Sequence, residues 1–361
     1  MTKNASKKNL PEHLEQKRTR VICSDRNYNT ETTESASQFM SLGYDNSYSF
    51  EKFKQDFKIE IRSIDEESST MEFDLIGCDP AIANALRRIL IAEVPTMAIE
   101  HVFFVNNTSI VQDEVLAHRL GLVPLRIDPD KFDFKIAEEA PSEKNTVVMR
   151  LKAECKRTAD GIVNSAVYSR ALEWLPDGSE YPEETSCRFA CGQHDLDTKD
   201  ASGNSVGLRP VHDDILLAKM TPGQVIELEA HCVKGAGKEH AKWSPVATAW
   251  YKLKPEVVLL KPVAGELADE LVEKCPGLFY MEGTGAGRLV KVDDPLKHPK
   301  LLEKVRCMST EEKWAPYLQL RKLKHHFMFT IESTGVLPPD VLFKQAIDIL
   351  HSKFTSAIQQ L

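Results

Sequence analysis

Three observations predict an α+β fold built on antiparallel strands. The segments FKIEIRSI (57–64) and MEFDLIG (71–77) alternate apolar with polar residues, and the polar DEESST between them supplies a turn, so together they read as a hairpin with one wet face. A helix with marked ends, running from Pro80 to about Glu93 or Val94, follows directly. A second long helical pattern, PDVLFKQAIDILHSKFTSAIQQL (339–361), closes the chain.

Each remaining element follows from local chemistry. Asp79 stands where a helix N-cap belongs and Pro80 at the first helical position, while Pro95 prevents continuation. AIEHVFFV (98–105) reads as a strand, and VQDEVLAHRLGLVPL (111–125) as a short helix stopped by Gly121 and Pro124. From about 126 to 224, charges, Pro and Gly interrupt short apolar stretches without helical periodicity, as an inserted, loop-rich region would. Strand alternation returns at QVIELEAHCV (224–233) and HHFMFTIES (325–333). Strands on both sides of the interruption imply one discontinuous domain carrying a second one. Residues 1–50 are rich in Ser, Thr, Asn, Lys and Glu without sustained period, and read as a flexible polar tail or a strap on a partner.

With 361 residues and 42% hydrophobic content the chain can bury a substantial core. A formal charge of -8 argues against a free-standing, non-specific nucleic-acid binder, because such proteins usually present a net basic face. The eight cysteines have no regular spacing and the first 20 residues lack an apolar leader, which points to free thiols in a reducing compartment. The sequons at Asn4, Asn106 and Asn107 are then coincidental. No apolar run approaches the roughly 20 residues of a transmembrane helix, so no membrane partner is expected.

The first helix carries an anomaly. At about 100° per residue, Ala85, Leu86, Ile89, Leu90 and Ala92 gather around Ile82, with Asn84, Arg87 and Arg88 opposite. Ile91 falls in the middle of the polar stripe and Glu93 in the middle of the apolar one. Two readings are open: a core helix with one exposed Ile, or a helix with its own sheet on one side and another protein on the other. The last helix favours the second. Phe343, Ile347, Leu350, Phe354, Ala357 and Leu361 are spaced 4, 3, 4, 3 and 4 apart, the seam of a coiled coil, although a run this short is also compatible with core packing. Lys353 lies off that seam and reads as an ordinary surface position.

The sequence carries few signals for chemistry. KGAGKEH (234–240) lacks the Gly at 232 and the hydroxyl at 239 that a Walker phosphate loop needs, since Cys232 and Glu239 stand there. GTGAGR (283–288) is not followed by a helical pattern. Cys187, Cys191 and His194 in CRFACGQH give one close ligand pair, where a structural zinc site normally shows two, so free thiols and a surface His are preferred over a metal. No nucleophile elbow, HExxH or framed carboxylate pair appears. No catalytic residue, metal ligand or cofactor is therefore expected. A self-sufficient enzyme or ligand binder, stable as a monomer with a polar-lined pocket, is the alternative class.

The run CDPAIANALRRILIAEVPTMAIEHVFFVNNTSIVQDEVLAHRLGLVPLRID (78–128) resembles the signature of the α-like subunits of DNA-dependent RNA polymerases. Residues 209–253, KPVAGELADEL (261–271) and HHFMFTIESTGVLPPDVLFKQAIDIL (325–350) are similar to the large α-like subunit that eukaryotic polymerases I and III share. The resemblance covers roughly residues 50–355.

It implies a polymerase α-like dimerisation domain, an antiparallel sheet with packed helices, at 51–107 and 225–361, split by an inserted mostly-β domain at 108–224. It implies a non-catalytic platform that pairs with a small α-like subunit and then binds the second-largest and largest subunits, with little direct DNA contact. By the same resemblance, Asn84, Arg87, Arg88 and Ile91, with Lys242, Trp243, Ser244 and Pro245, would meet the large subunits. Phe343, Ile347, Leu350, Phe354 and Leu361 would meet the small one. The polymerases concerned make rRNA precursor, 5S rRNA and tRNA in the nucleolus and nucleoplasm of the nucleus. This chain departs from the polymerase II relative, which has a four-cysteine zinc loop, because only Cys187 and Cys191 are close here.

Overall fold

The computed structural model describes residues 11–30, 49–65, 69–136, 139–159, 161–196, 207–283 and 288–361. The turn expected within DEESST, the loop GTGAGR and most of the expected N-terminal tail lie partly or wholly outside these residues. The fold is α+β with antiparallel pairing in its main sheets, and the chain divides into two units.

The first unit holds residues 1–63, 72–84 and 250–330. Its six-stranded sheet has the order Asn27–Tyr28, Arg20–Cys23, Leu318–Ser333, Thr70–Ile76, Lys58–Asp65, with Val246–Leu259 also paired to Leu318–Ser333. Phe73 stacks on Phe329 with ring centroids 5.1 Å apart, and Tyr251 packs its edge on Phe327. A second cluster gathers Leu271, Leu278, Phe279, Val305 and Trp314 from the helices Glu266–Lys274 and Pro299–Met308 and their surroundings.

Part of the expected tail is folded into this unit. Glu12–Thr19 is a helix, and Arg20–Cys23 pairs with Leu318–Ser333 in register Arg20↔Leu323 through Cys23↔Leu320. Three consecutive apolar residues, Val21, Ile22 and Cys23, are too few to register as a period in a polar segment. They suffice for a strand once a long template exists, and Cys23 is buried in the core cluster.

The second unit holds residues 64–71, 85–249 and 331–361. Its sheet has the order Leu172–Leu175, Thr146–Glu154, Val225–Ala236, Pro95–Asn107, all antiparallel. One face sends Met97, Ile99, Val147, Met149, Leu151, Leu228, Ala230 and Cys232 into a core closed by Leu116 and Leu120 of the helix Asp113–Gly121. Two of these strands come from inside the stretch expected to be an insertion and two from outside it. The boundaries at 107/108 and 224/225 therefore cut through one continuous hydrogen-bonded sheet. Thr146–Glu154 escaped the alternation test because a central strand buried on both faces is apolar in succession, here Val147, Val148 and Met149.

Candidate subunit interface

The helix Pro80–Ala92 starts as its sequence demands: Asp79 Oδ1 accepts the Ala81 N–H at 2.7 Å and the Asp79 carbonyl accepts from Ile82 at 3.0 Å. Ala83, Leu86, Ile89 and Leu90 are buried. Asn84, Arg87 and Ile91 are half-buried, and Arg88 is exposed. Ile91 is thus less open than its place in the polar stripe suggested.

The glycine loop after the strand Val225–Ala236 packs against the end of this helix. Lys238 donates its backbone N–H to the Ala92 carbonyl at 2.8 Å, and a Cβ on Gly237 would sit 2.3 Å from the Ile91 carbonyl oxygen. The glycine is needed for close backbone approach to a helix end, not to cradle a phosphate.

The loop Lys242–Pro245, expected to meet the large subunits, is only partly accessible in this chain. Trp243 is 6% exposed, packs on Gly235 and donates from Nε1 to the Val233 carbonyl at 3.1 Å, while its own carbonyl accepts from Thr96 Oγ1 at 2.8 Å. Pro245 is buried, and its carbonyl accepts from the backbone and the hydroxyl of Thr334, both at 3.0 Å. Lys242 donates to the Ile99 carbonyl at 2.8 Å, pairs with Glu100 and lies over the Trp243 ring. Tryptophan sequestered this way is a wedge that shapes the loop, and Ser244 and the Lys242 flank are what remain partly accessible.

The C-terminal helix Pro339–Gln360 splits along its length. Leu342, Phe343 and Ala346 are buried, so Phe343, expected on the seam, is largely covered within this chain. Ile347 is 41% exposed, Phe354 58% and Leu361 fully so, with Leu350 half-buried. Ile358, missed by the strict heptad count, is 72% exposed and lies about 40° from Phe354 on the same face. Every residue from His351 to Leu361 is exposed. Lys353, expected to be an ordinary surface position, bonds the Glu93 carboxylate, so the acid in the middle of the first helix's apolar face has a partner.

The possible metal ligands are not brought together. Cys187 is buried, and burial pushes its thiol up to about 11. Cys191 is exposed, and His194 Nε2 lies 2.9 Å from Asp177 Oδ1. Among the described residues no group of three His, Cys, Asp or Glu side chains is arranged to hold a metal ion.

Two clusters of ionisable side chains, the first buried and the second partly so, were not among the expectations. His231 Nε2 is 2.8 Å from Glu229 Oε1, both side chains being 2% exposed, and the other Glu229 oxygen accepts the Glu180 N–H at 3.0 Å. Their spacing of two in IELEAHC puts both on one face of a strand, a signal that could have been noticed. The second cluster is Arg62, Asp74 and His326, from three neighbouring strands.

The chain matches the model of the RNA polymerase Rpb3/Rpb11 dimerisation domain over residues 72–354. It is 41% identical over 362 residues to a bovine protein named DNA-directed RNA polymerases I and III subunit RPAC1, covering 96% of each chain. It is 38% identical to the Saccharomyces cerevisiae protein of that name, over 90% of this chain and 94% of that one. A Dictyostelium discoideum protein named DNA-directed RNA polymerase II subunit rpb3 is 33% identical over 82% of this chain and 92% of its own. The chain is a member of the RNA polymerase Rpb3/Rpb11 dimerisation-domain family.

Proposed function

We propose that this chain is the large α-like subunit shared by nuclear RNA polymerases I and III. It is a non-catalytic assembly platform in the synthesis of rRNA precursor, 5S rRNA and tRNA, working in nucleolus and nucleoplasm. The relatives named for polymerases I and III match more of the chain, and more closely, than the polymerase II relative does. The observation that carries the role is the apolar row Ile347, Phe354, Ile358 and Leu361, exposed along the last helix of a dimerisation-domain fold. Solitary exposed apolar residues are common, but a row on one helix face marks an interaction surface.

In this reading the row binds the small α-like subunit. Arg88, with the accessible parts of Asn84, Arg87, Ile91, Lys242 and Ser244, meets the second-largest and largest subunits. The dimerisation domain is discontinuous, with most of 108–224 serving as its insertion. Arginine suits such a contact because its planar fork binds a carboxylate in two places.

The test is co-expression with the small α-like subunit of the same organism, followed by size-exclusion chromatography. A 1:1 complex that Phe354→Asp abolishes supports the reading. A monodisperse monomer that ignores the co-expressed chain contradicts it.

A further inference from the structure

We propose that Glu93 and Lys353 form a positioning clamp that sets the direction in which the apolar row of the C-terminal helix faces its partner. The inference rests on the reading of that row as a subunit contact and adds a residue pair that acts through the direction of the helix.

The observations are geometric. The helix Pro339–Gln360 is anchored at its start by Leu342, Phe343 and Ala346, and from His351 onward it has no buried residue. Ser352 and Thr355 bond only to carbonyls of their own helix. Among the described residues, the Lys353 bond to Glu93 is then the one polar tie from His351–Leu361 to another element. It spans an open groove of about 560 Å³ lined by Glu93, Asp348, Ile349, Ser352, Lys353 and Ala357, among others. The two halves of the helix are thus held by different means, apolar burial first and a single ion pair later.

The angles give the pair its consequence. Taking Phe354 as zero, Leu342, Ala346, Ile349 and Lys353 lie between about -80° and -140°, while Ile347, Ile358 and Leu361 lie within about 40° of zero. Lys353 continues the inward-facing stripe beyond the point where apolar packing ends. Holding it inward keeps the exposed row turned about a quarter-turn away from the unit, where a partner can cover it. Glu93 follows the last turn of the helix Pro80–Ala92, whose buried side chains fix it in place. Its position in an apolar stripe is explained by the lysine it receives.

The pair is half-exposed, so the expected effect is modest, about two- to fivefold in partner dissociation rate. The experiment compares Glu93→Lys, Lys353→Glu and the double swap in the co-expressed heterodimer. It reads partner dissociation and amide hydrogen exchange at residues 351–361, at low and at 1 M salt. The clamp predicts faster dissociation and faster exchange in each single variant, recovery in the double swap, and loss of the differences at 1 M salt. Single variants that match the parent, or a double swap no better than either single, overturn it. Phe354→Asp runs alongside: if that variant loses the partner while the charge variants have no effect, only the clamp fails. If it keeps the partner, the contact reading fails and the clamp falls with it.

Discussion

His326 Nε2 lies 2.7 Å from Asp74 Oδ2 on the adjacent strand, and Arg62 on the strand beyond reaches both oxygens of the same carboxylate, at 2.6 and 2.7 Å. The Asp74 side chain is 5% exposed. Burial alone would raise its pKa, but the bonds from Arg62 and His326 outweigh it and hold the carboxyl below its usual value. Three strands are tied together by one acid.

A depressed folded pKa contributes stability that is present above the unfolded value of about 3.9 and is lost as pH falls through the lower folded value. Asp74→Asn should cost about 2–4 kcal/mol at pH 7, the lower end reflecting the partly exposed Arg62. Urea unfolding at pH 7 and below pH 4 checks this. The parent should lose more stability than the variant over the acid interval.

Trp243→Ala should destabilise the fold by about 3–5 kcal/mol, because it empties a buried site and leaves the Val233 carbonyl without its donor. Thermal unfolding of the heterodimer measures it. A variant as stable as the parent, yet deficient in binding the large subunits, would return Trp243 to the interface.

Phe343 and Phe354 are eleven residues apart on one helix face and should behave oppositely. Phe343→Ala should lower stability by about 3–4 kcal/mol, since the ring is 8% exposed. Phe354→Asp should leave unfolding nearly unchanged while partner capture is lost, because the residue is largely exposed in this chain. Paired unfolding and capture assays on the two variants separate these outcomes.

Alkylation of the native protein at pH 8 should modify Cys191 and Cys307 first, the two exposed thiols. Cys78, which burial pushes up to about 12, and Cys187 and Cys232, raised by burial as well, should react at least about 100-fold more slowly. Peptide mapping over a time course reads the order, and rapid labelling of Cys232 would contradict the packing described.

Elements with local signals were legible in the sequence. The cap at Asp79 and the prolines bounding it placed the first helix to within a residue or two of Pro80–Ala92, and alternation placed Lys58–Asp65, Thr70–Ile76 and Val225–Ala236. Thr146–Glu154 and Arg20–Cys23 were missed because their strand character comes from neighbours far along the chain rather than from period. The apolar row was legible as spacing, but spacing does not say which members the chain buries itself. Phe343 is taken inward and Ile358 left out by where packing ends. Glu93 was legible only as an anomaly, since its explanation lies 260 residues away at Lys353.

Tagging the chain at its N-terminus in its own cells, purifying it and quantifying what comes with it by mass spectrometry tests the shared platform role. A shared platform subunit should bring one equivalent of a small α-like subunit, together with the two largest subunits of both polymerase I and polymerase III. Recovery of polymerase II subunits in their place, or of no polymerase subunit, would contradict it.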